Sequence, residues 1–387
     1  MNQFRGNRSA GFGATQAASL GVAGLFGAAW LAGTAESHFN FGRDFDSQSG
    51  VARAMAVTLE AISPSASAPA AWDLPNLDHE RVDYWVHKFN TDLRDDFTVW
   101  LSRTGKYGPM ILQKLEERGM PSDLLYLAMI ESGLNPIAYS HAHASGMWQF
   151  ISETGRRYGL TINGVVDDRR DPVKATDAAL DYLTYLHDRF DSWYLAAAGY
   201  NSGENRVGRI MRELYGSEKG PETAYYKIWP RLPSETRDYV PLMIAAARIA
   251  KEPAKYGFEQ VELLPPLAYE EVPVDGGTPL AVVAEAAGVD ASEVAELNHH
   301  LKLGRTPTGK RTMVRLPQGT RTAFLVNWPE VREKRTLALT EYRVRRGDSL
   351  IAIARSHGVT VGAIRSENAI RGSRIYAGQT IRIPTSG

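Results

Sequence analysis

The chain has 387 residues, enough for two or three domains, and its apolar and charged fractions are those of ordinary globular proteins. The 44 basic and 44 acidic side chains balance, so the charge favours neither nucleic acid nor an anionic membrane surface as the main partner. The chain has no cysteine, which excludes structural disulfides, Cys-based zinc sites and a lipid anchor on an N-terminal cysteine.

The first 35 residues have the pattern of an export signal. Arg5 and Arg8 precede an apolar run over 18–32, and the small residues at 33–35 offer a processing site. The run is shorter than the roughly 20 residues that a membrane-spanning helix needs. We predict a signal peptide or N-terminal anchor at 1–35, although the true start codon could lie further along. The stretch 36–76 is rich in Ser, Ala, Pro and Gly and is predicted to be a flexible linker.

From Asp78 onward the pattern of apolar residues becomes helical. The first helix is indicated by apolar side chains at three- and four-residue steps: Val82, Trp85, Val86, Phe89, Leu93, Phe97, Trp100 and Leu101. Further helices are predicted at about 107–118, 122–131, 172–190, 192–200, 204–215 and 234–251, separated by Gly- and Pro-bearing loops. The segment 77–260 is therefore predicted to be one all-α domain.

After Pro265-Pro266 the chain repeats itself. Placing Val274 on Val344 aligns 25 positions without a gap and matches Asn298 to Asn368. Each copy predicts a small β-α-α-β unit, the first over 269–319 and the second over 341–385. We expect the helical domain to carry its own core and to need no contribution from a repeat joined through the two prolines.

Three short strings in the helical domain, followed by a fourth, carry a family resemblance. They are Ile130-Glu131-Ser132-Gly133, Ser145-Gly146-Met147-Trp148-Gln149-Phe150, Ala198-Gly199-Tyr200-Asn201-Ser202-Gly203 and Glu235-Thr236-Arg237-Asp238-Tyr239-Val240-Pro241. In this order they resemble the soluble-lytic-transglycosylase family, whose all-α catalytic domain is goose-lysozyme-like. The repeats resemble LysM modules, and the whole arrangement resembles the membrane-bound lytic transglycosylase D group. The resemblance covers nearly everything from about residue 78 onward.

This resemblance implies a multidomain enzyme of the bacterial periplasm, associated with the cell wall or membrane. It would cleave the MurNAc-GlcNAc β-1,4 bond of peptidoglycan strands and leave 1,6-anhydro-MurNAc ends. The second repeat, with Gly347-Asp348-Ser349-Leu350, would bind GlcNAc-containing glycans. The first has Thr278-Pro279 instead of the Asp-Ser pair and is a diverged copy, for which protein contacts or spacing are the alternative roles. A hydrolytic muramidase and a non-catalytic scaffold are the alternatives.

The residues themselves single out Glu131 as the catalytic acid. It closes the run 124–130, which is apolar on every helical face and therefore predicted to be buried. A carboxyl group at such a helix end loses solvation and meets the negative end of the helix dipole, and both effects raise its pKa. A raised pKa keeps the group protonated near neutrality, as a general acid must be.

Ordinary glycosidases need a second carboxylate, and the first three strings contain none. In the family that the chain resembles, one glutamate acts first as acid and then as base, and the N-acetyl group of the substrate stabilises the cationic centre. The resemblance implies six substrate-binding residues: Ser140, Met147, Gln149, Tyr200, Asn201 and Tyr239. Packing within the protein remains an alternative role for Ser140 and Tyr239, and a structural hydrogen bond remains one for Asn201.

No cofactor or metal is predicted. His141 and His143 lie two residues apart, but the sequence shows no third ligand at metal-binding spacing. The chain also has no phosphate-binding glycine loop and no acyl-transfer motif. Peptidoglycan is the predicted partner, nucleic acid is not, and the sequence identifies no protein partner.

Overall fold

The computed structural model of the protein describes residues 71–337 and 339–384, so the predicted signal segment 1–35 and the linker up to residue 70 lie outside the described residues. Nine α-helices in the described part form the first domain: α1 (Glu80–Asn90), α2 (Arg94–Glu117), α3 (Leu125–Ser132), α4 (Ser152–Arg157), α5 (Pro172–Phe190), α6 (Trp193–Ser202), α7 (Glu204–Tyr215), α8 (Ala224–Ile228) and α9 (Ser234–Lys251). The domain is all-α, as the sequence predicts.

Two short helices, α3 and α6, form the centre of this domain. Their sequences are apolar on all faces, and nearly every residue of both is buried. Helix α6 is capped by Ser192, whose hydroxyl accepts a hydrogen bond from the backbone N–H of Leu195. Helix α5 is capped by Asp171, whose carboxylate accepts from the backbone N–H groups of Val173 and Lys174. These caps fix where helices α5 and α6 start.

Residues 71–76 pack against the helical domain, whereas the sequence assigned them to the flexible linker. The Asp123 carboxylate accepts hydrogen bonds of 2.9 Å from the backbone N–H groups of Asp73 and Leu74. Lys251 pairs with the other oxygen of Asp123 at 2.7 Å. Leu74 is buried in the core. The domain therefore begins several residues before the predicted boundary, because one buried aspartate binds this segment to the core.

Both repeats form the predicted β-α-α-β unit. The first contains β1 (Tyr269–Val274), α10 (Leu280–Ala287), α11 (Ala291–Leu297) and β2 (Thr312–Pro317), and a further helix α12 (Arg321–Leu337) follows. The second contains β3 (Leu339–Arg343), α13 (Leu350–Ser356), α14 (Val361–Asn368) and β4 (Thr380–Pro384). In each unit the two strands pair antiparallel.

Asn298 and Asn368 make equivalent hydrogen bonds in the two repeats. Asn298 donates to the carbonyl of Arg315 at 2.7 Å and accepts from its N–H at 3.0 Å. Asn368 donates to the carbonyl of Arg382 at 2.6 Å and accepts from its N–H at 2.7 Å. Each amide therefore pairs the end of the second helix with the return strand, which explains the asparagine at the same position of both copies.

Helix α12 completes the first repeat and was not predicted. Phe324 and Val331 from this helix are buried in the core of the repeat. Asn327 donates to the carbonyl of Ala286 at 3.1 Å. The unit therefore extends beyond residue 319, where the sequence alignment of the two copies ended, because the second copy has no counterpart of this helix in the described residues.

The first repeat is docked on the helical domain through buried polar contacts, although each of the two has its own core. Arg315 contacts both oxygens of Asp171 at 3.0 Å, and both side chains are buried. His300 lies 3.6 Å from the same carboxylate, but burial lowers the pKa of His300 to about 4, so the ring is neutral at pH 7. The backbone N–H of Asp167 also donates to the carbonyl of His300 at 2.9 Å. Arg315 alone therefore supplies the charge that balances Asp171.

The segment that joins the two domains is also held in place. Leu264 and Leu267 donate backbone hydrogen bonds to the carbonyls of Ser102 and Lys106 on helix α2. A Cβ on Gly105 would lie 2.3 Å from the carbonyl oxygen of Leu264, so only glycine allows this approach. The residues on either side of Pro265-Pro266 are therefore packed against helix α2 and do not form a free tether.

We predict that Arg315→Met destabilises the protein by about 3–5 kcal/mol, because it leaves the Asp171 carboxylate buried without a countercharge. Urea unfolding measures this difference, and limited proteolysis within 268–332 should become faster. The control is Arg332→Met, since Arg332 pairs with Asp275 on the surface and its loss should cost about 1 kcal/mol or less. Equal stability of the two variants would mean that the Arg315 contact does not hold the domains together.

Candidate active site

Glu131 lies at the end of helix α3, in the interior of the helical domain. The residues 125–130 before it are all buried, and Glu131 itself is 3% exposed. The helix ends at Gly133, which has a φ of 61°. A Cβ on Gly133 would lie 2.3 Å from the indole of Trp100, so a glycine is needed to turn the chain directly after the carboxyl group.

The surroundings of Glu131 favour its protonated form. Burial raises the pKa of the carboxyl group to about 8, because the charged form loses its solvation. The Tyr239 hydroxyl donates a 2.5 Å hydrogen bond to Glu131 Oε1, which lowers the pKa, and the charge of Glu235 raises it again. Glu131 is therefore mostly protonated at neutral pH and able to give a proton to a leaving oxygen.

Tyr239 keeps its own proton in this arrangement. Burial, followed by the charge of Glu131, raises the pKa of the Tyr239 hydroxyl well above its usual value. The tyrosine therefore stays a hydrogen-bond donor over the whole physiological range. A fixed donor on Oε1 holds the carboxyl group in one orientation and stabilises the carboxylate once the proton has left.

Glu235 is the residue of this cluster that the sequence analysis left out. It lies four residues before Tyr239 on helix α9, and side chains at that spacing share one helix face. Its charge acts on both Glu131 and Tyr239. The four-residue spacing of Glu235 and Tyr239 in the fourth string indicates that both side chains lie on one helix face, beside Glu131.

Asn201 connects helix α6 to the first turn of helix α9. Its Nδ2 donates to Glu235 Oε1 at 3.2 Å, and its Oδ1 accepts from the Thr236 hydroxyl at 2.7 Å. The residue is 7% exposed. Both ends of the amide are engaged, so the structure favours a positioning role for Asn201 over direct contact with a substrate.

Tyr200 bonds to the backbone rather than to Glu131. Its hydroxyl donates to the carbonyl of Trp148 at 2.8 Å. Burial and then the charge of Glu131 raise the pKa of Tyr200 well above its usual value. The preceding Gly199 lies inside helix α6, where a Cβ would come within 2.9 Å of the Phe190 ring. The glycine therefore serves the packing of helix α6 against Phe190.

The loop 145–150 is fastened beside Glu131. Ser132, the next residue in the chain, donates its hydroxyl proton to the carbonyl of Met147 at 2.7 Å. Gly146 has a φ of 85°, and a Cβ there would lie 1.7 Å from the carbonyl oxygen of Arg169. The Arg169 guanidinium in turn donates to the carbonyls of His143 and Phe150. The loop is thus clamped between helix α3 and the segment around Arg169.

Gln149 carries an unused hydrogen-bond acceptor in this loop. Its Nε2 donates to the carbonyl of Gly146 at 2.7 Å, while its Oε1 is buried and has no hydrogen-bond partner among the described residues. Its φ of 47° is uncommon for a residue other than glycine and costs about 1–3 kcal/mol. A strained backbone and an orphaned buried acceptor are both typical of functional sites.

Met147, Trp148 and Ser140 make contacts within the protein. Met147 is fully buried in the core, and a substrate contact by Met147 stays a prediction. Trp148 is also fully buried, and its indole N–H donates to Thr176 at 2.9 Å. The Ser140 hydroxyl accepts from the N–H of Ala144 at 3.1 Å and closes a turn. A substrate contact by Ser140 stays a prediction.

The turn closed by Ser140 carries the two histidines for which a metal site was considered. His143 hydrogen-bonds to the Tyr139 hydroxyl at 2.7 Å through Nδ1. Within residues 71–337 and 339–384, no group of three or more His, Asp or Glu side chains is placed to hold a metal ion.

Comparisons with known proteins agree with this arrangement. The transglycosylase SLT domain model matches residues 109–221, the LysM domain model matches 342–384, and the LysM-like domain of lytic transglycosylase MltD matches 268–332. Membrane-bound lytic murein transglycosylase D of Escherichia coli K12 is 32% identical over 321 residues, which are 80% of this chain and 70% of that protein. The chain belongs to the lytic murein transglycosylase D family.

Two other matches are shorter. A protein of Alteromonas sp. strain M-1, described as a putative tributyltin chloride resistance protein, is 40% identical over 119 residues, 30% of this chain and 58% of that one. The X-ray structure of an inactive mutant of lytic transglycosylase Slt from Pseudomonas aeruginosa covers 40% of this chain and 25% of that chain, at 22% identity and a TM-score of 0.31.

We predict that Tyr239→Phe raises the pH at which this lytic transglycosylase loses activity. Removing the hydrogen bond that lowers the pKa of Glu131 should move the upper limb of the pH–rate profile up by about one pH unit. The measurement is the rate of glycan cleavage between pH 6 and 10. Tyr200→Phe is the matched control, because that hydroxyl bonds to a backbone carbonyl. If the upper limb of the pH–rate profile stays at the same pH or moves to lower pH in Tyr239→Phe, the proposed effect of Tyr239 on the pKa of Glu131 is contradicted.

Proposed function

We propose that this lytic murein transglycosylase cleaves the MurNAc-GlcNAc β-1,4 bond with Glu131 as its only catalytic acid and base. The observation that carries the proposal is the buried Glu131 carboxyl group, protonated at neutral pH and oriented by Tyr239. The comparisons favour neither the hydrolytic muramidase nor the non-catalytic scaffold.

The first step is proton transfer to the leaving sugar. Glu131 gives its proton to the glycosidic oxygen, the C1–O bond breaks, and the electron pair of that bond leaves with the departing GlcNAc. The carbonyl oxygen of the MurNAc N-acetyl group stabilises the cationic C1 centre. Gln149 Oε1 is suited to accept a hydrogen bond from the acetamide N–H, because it is a buried acceptor without a partner in the described structure.

The second step returns the proton to the enzyme. Glu131, now a carboxylate held by the Tyr239 hydroxyl, takes the proton from the C6 hydroxyl of MurNAc. The C6 oxygen then bonds to C1 and forms the 1,6-anhydro ring. Glu131 ends the cycle protonated and no water is consumed, so one carboxyl group is sufficient for both steps.

Binding to the cell wall is assigned to the LysM modules. The second module presents an ordered turn in which Asp348 accepts from the Tyr342 hydroxyl at 2.8 Å and from the backbone N–H of Arg345 at 2.7 Å. The exposed side chains of Ile351 and Tyr376 belong to the same module. We infer that GlcNAc-containing glycans bind between this turn and the loop after helix α14, where aromatic and aliphatic surfaces can pack on sugar rings.

Export and a periplasmic, wall- or membrane-associated location are part of the same proposal. The related protein of Escherichia coli is described as membrane-bound, which supports association with the cell envelope. Within the part of the chain that the structure describes, no helix has the length and apolarity needed to cross a membrane. The predicted export segment 1–35 lies outside that part.

We predict that Glu131→Gln reduces cleavage of purified sacculi to below a tenth of the wild-type rate, because the shape of the side chain is kept and the transferable proton is lost. Mass spectrometry of the wild-type products should show 1,6-anhydro-MurNAc ends. Hydrated reducing ends would contradict the transglycosylase mechanism, and a variant that retains most of its activity would contradict the role of Glu131.

The same variant is expected to be more stable than the wild type. The Glu131 carboxyl has a pKa of about 8 in the folded protein and an ordinary value near 4.5 in the unfolded chain. Between these values only the unfolded chain ionises, so the stability of the wild type falls by about 1.4 kcal/mol per pH unit as pH rises. Glu131→Gln has no carboxyl group to ionise, so its free energy of unfolding should not fall in this way. An inactive variant that is more stable than the wild type is folded, whereas a less stable one is damaged.

We predict that deletion of 342–384 weakens binding to sacculi but spares cleavage of short soluble glycans, because a wall-binding module raises the local concentration of enzyme only on the polymer. Pull-down on purified sacculi compares the full chain with the deletion, and circular dichroism confirms that the helical domain remains folded. Unchanged binding would mean that the module serves as a spacer.

A further inference from the structure

A basic cavity lies outside the catalytic cluster. It has a volume of 410 Å³ and opens between helix α7 and the start of helix α9. Arg206 and Arg209 of helix α7 line it, together with Glu213, Arg231 and Pro233. Neither the proposed mechanism nor the LysM modules use these residues.

The cavity has an excess of positive charge. Arg231 is paired with Glu213, so these two charges cancel. Arg206 and Arg209 form no ion pair and no side-chain hydrogen bond with any residue of the described chain. Three arginines and one glutamate therefore leave a net charge of about +2 on the lining, and the two guanidinium groups that carry it are available to an anionic ligand.

The cavity adjoins the catalytic cluster along the chain, because helix α9 carries Tyr239 and helix α7 directly follows helix α6, which carries Tyr200 and Asn201. Pro233 caps helix α9 six residues before Tyr239, which corresponds to about 9 Å along the helix axis. Arg206 lies five residues after Asn201, whose amide bonds to Glu235 at the start of helix α9. A short peptide attached to a sugar beside Glu131 is long enough to cover that axial distance from Tyr239 to Pro233.

The substrate class that follows from the proposed function carries suitable anions. Each muramic acid bears a short peptide on its lactyl group, and that peptide contains free carboxylates. An extended peptide spans about 3.3 Å per residue, so three or four residues cover about 10–13 Å. The guanidinium group of arginine matches a carboxylate with two parallel hydrogen bonds.

We propose that Arg206 and Arg209 bind the carboxylates of the peptide stem next to the cleaved bond, and that the enzyme therefore prefers strands that still carry their peptides. The inference depends on the proposed function, because it takes the substrate to be peptidoglycan. Partly exposed arginines bind carboxylates with modest strength, so the expected effect is a three- to tenfold change in KM, roughly, with kcat retained.

The test compares the wild type with the double variant Arg206→Gln/Arg209→Gln on two substrates. One is soluble glycan strands with their peptide stems, and the other is the same strands after an amidase has removed the stems. The readout is KM and kcat for the release of 1,6-anhydro ends. The double variant should show a raised KM on stem-bearing strands and the wild-type KM on stripped strands.

Arg212→Gln is the matched control. Arg212 lies on the same helix but pairs with Glu218 and does not line the cavity, so it tests the general loss of positive charge. Equal losses on the two substrates, or no loss on either, would overturn the proposal. A wild type that forms no anhydro ends from either substrate would instead defeat the proposed function, and the inference with it.

A second experiment tests whether the ligand is a phosphate, because arginines bind phosphates as well as carboxylates. Flotation with phosphatidylglycerol vesicles compares the wild type and the double variant. The proposal predicts equal vesicle binding by both proteins. Weaker vesicle binding by the double variant, together with unchanged KM on stem-bearing strands, would assign the cavity to anionic lipid and overturn the stem assignment.

Discussion

The hydrogen bond from Tyr239 to Glu131, made inside an apolar core, is the contact on which the active site depends. Burial alone would hold the carboxyl group protonated well beyond neutrality, which suits an acid but not the base that the same group must become. The tyrosine moderates this effect and stabilises the carboxylate, while the charge of Glu235 opposes it. The pKa of about 8 is the balance of these three influences, and it allows one group to serve in both steps.

Two sets of contacts outside this cluster hold the active-site residues in position. Asn201 joins helix α6 to the start of helix α9, so the helix that carries Tyr239 is positioned by the helix that carries Tyr200. On the other side, Asp171 and Asp167 contact the first LysM-like module while the neighbouring Arg169 clamps the loop that contains Gln149. The module is therefore connected to the active-site loop through buried contacts rather than through a linker.

Much of the helical domain and of the site could be predicted from the sequence, because these features are local. Glu131 ends an apolar run that has to be buried, and the Asn298 and Asn368 match follows from an ungapped repeat. Contacts between distant segments could not be predicted. The pairing of Arg315 with Asp171 joins positions 144 residues apart, and both are residue types that normally face solvent. The motif that contains Met147 likewise does not show that this side chain lies in the core.

The central claim is that Glu131 is protonated at neutral pH in the free enzyme. Carbon-13 NMR titration of glutamate carboxyl groups, with the Glu131 signal assigned by its loss in Glu131→Gln, measures this directly. The account predicts a midpoint near pH 8, far above the ordinary glutamate value of 4.5. A midpoint close to that ordinary value would show that the group is ionised at neutrality and would contradict its role as the proton donor.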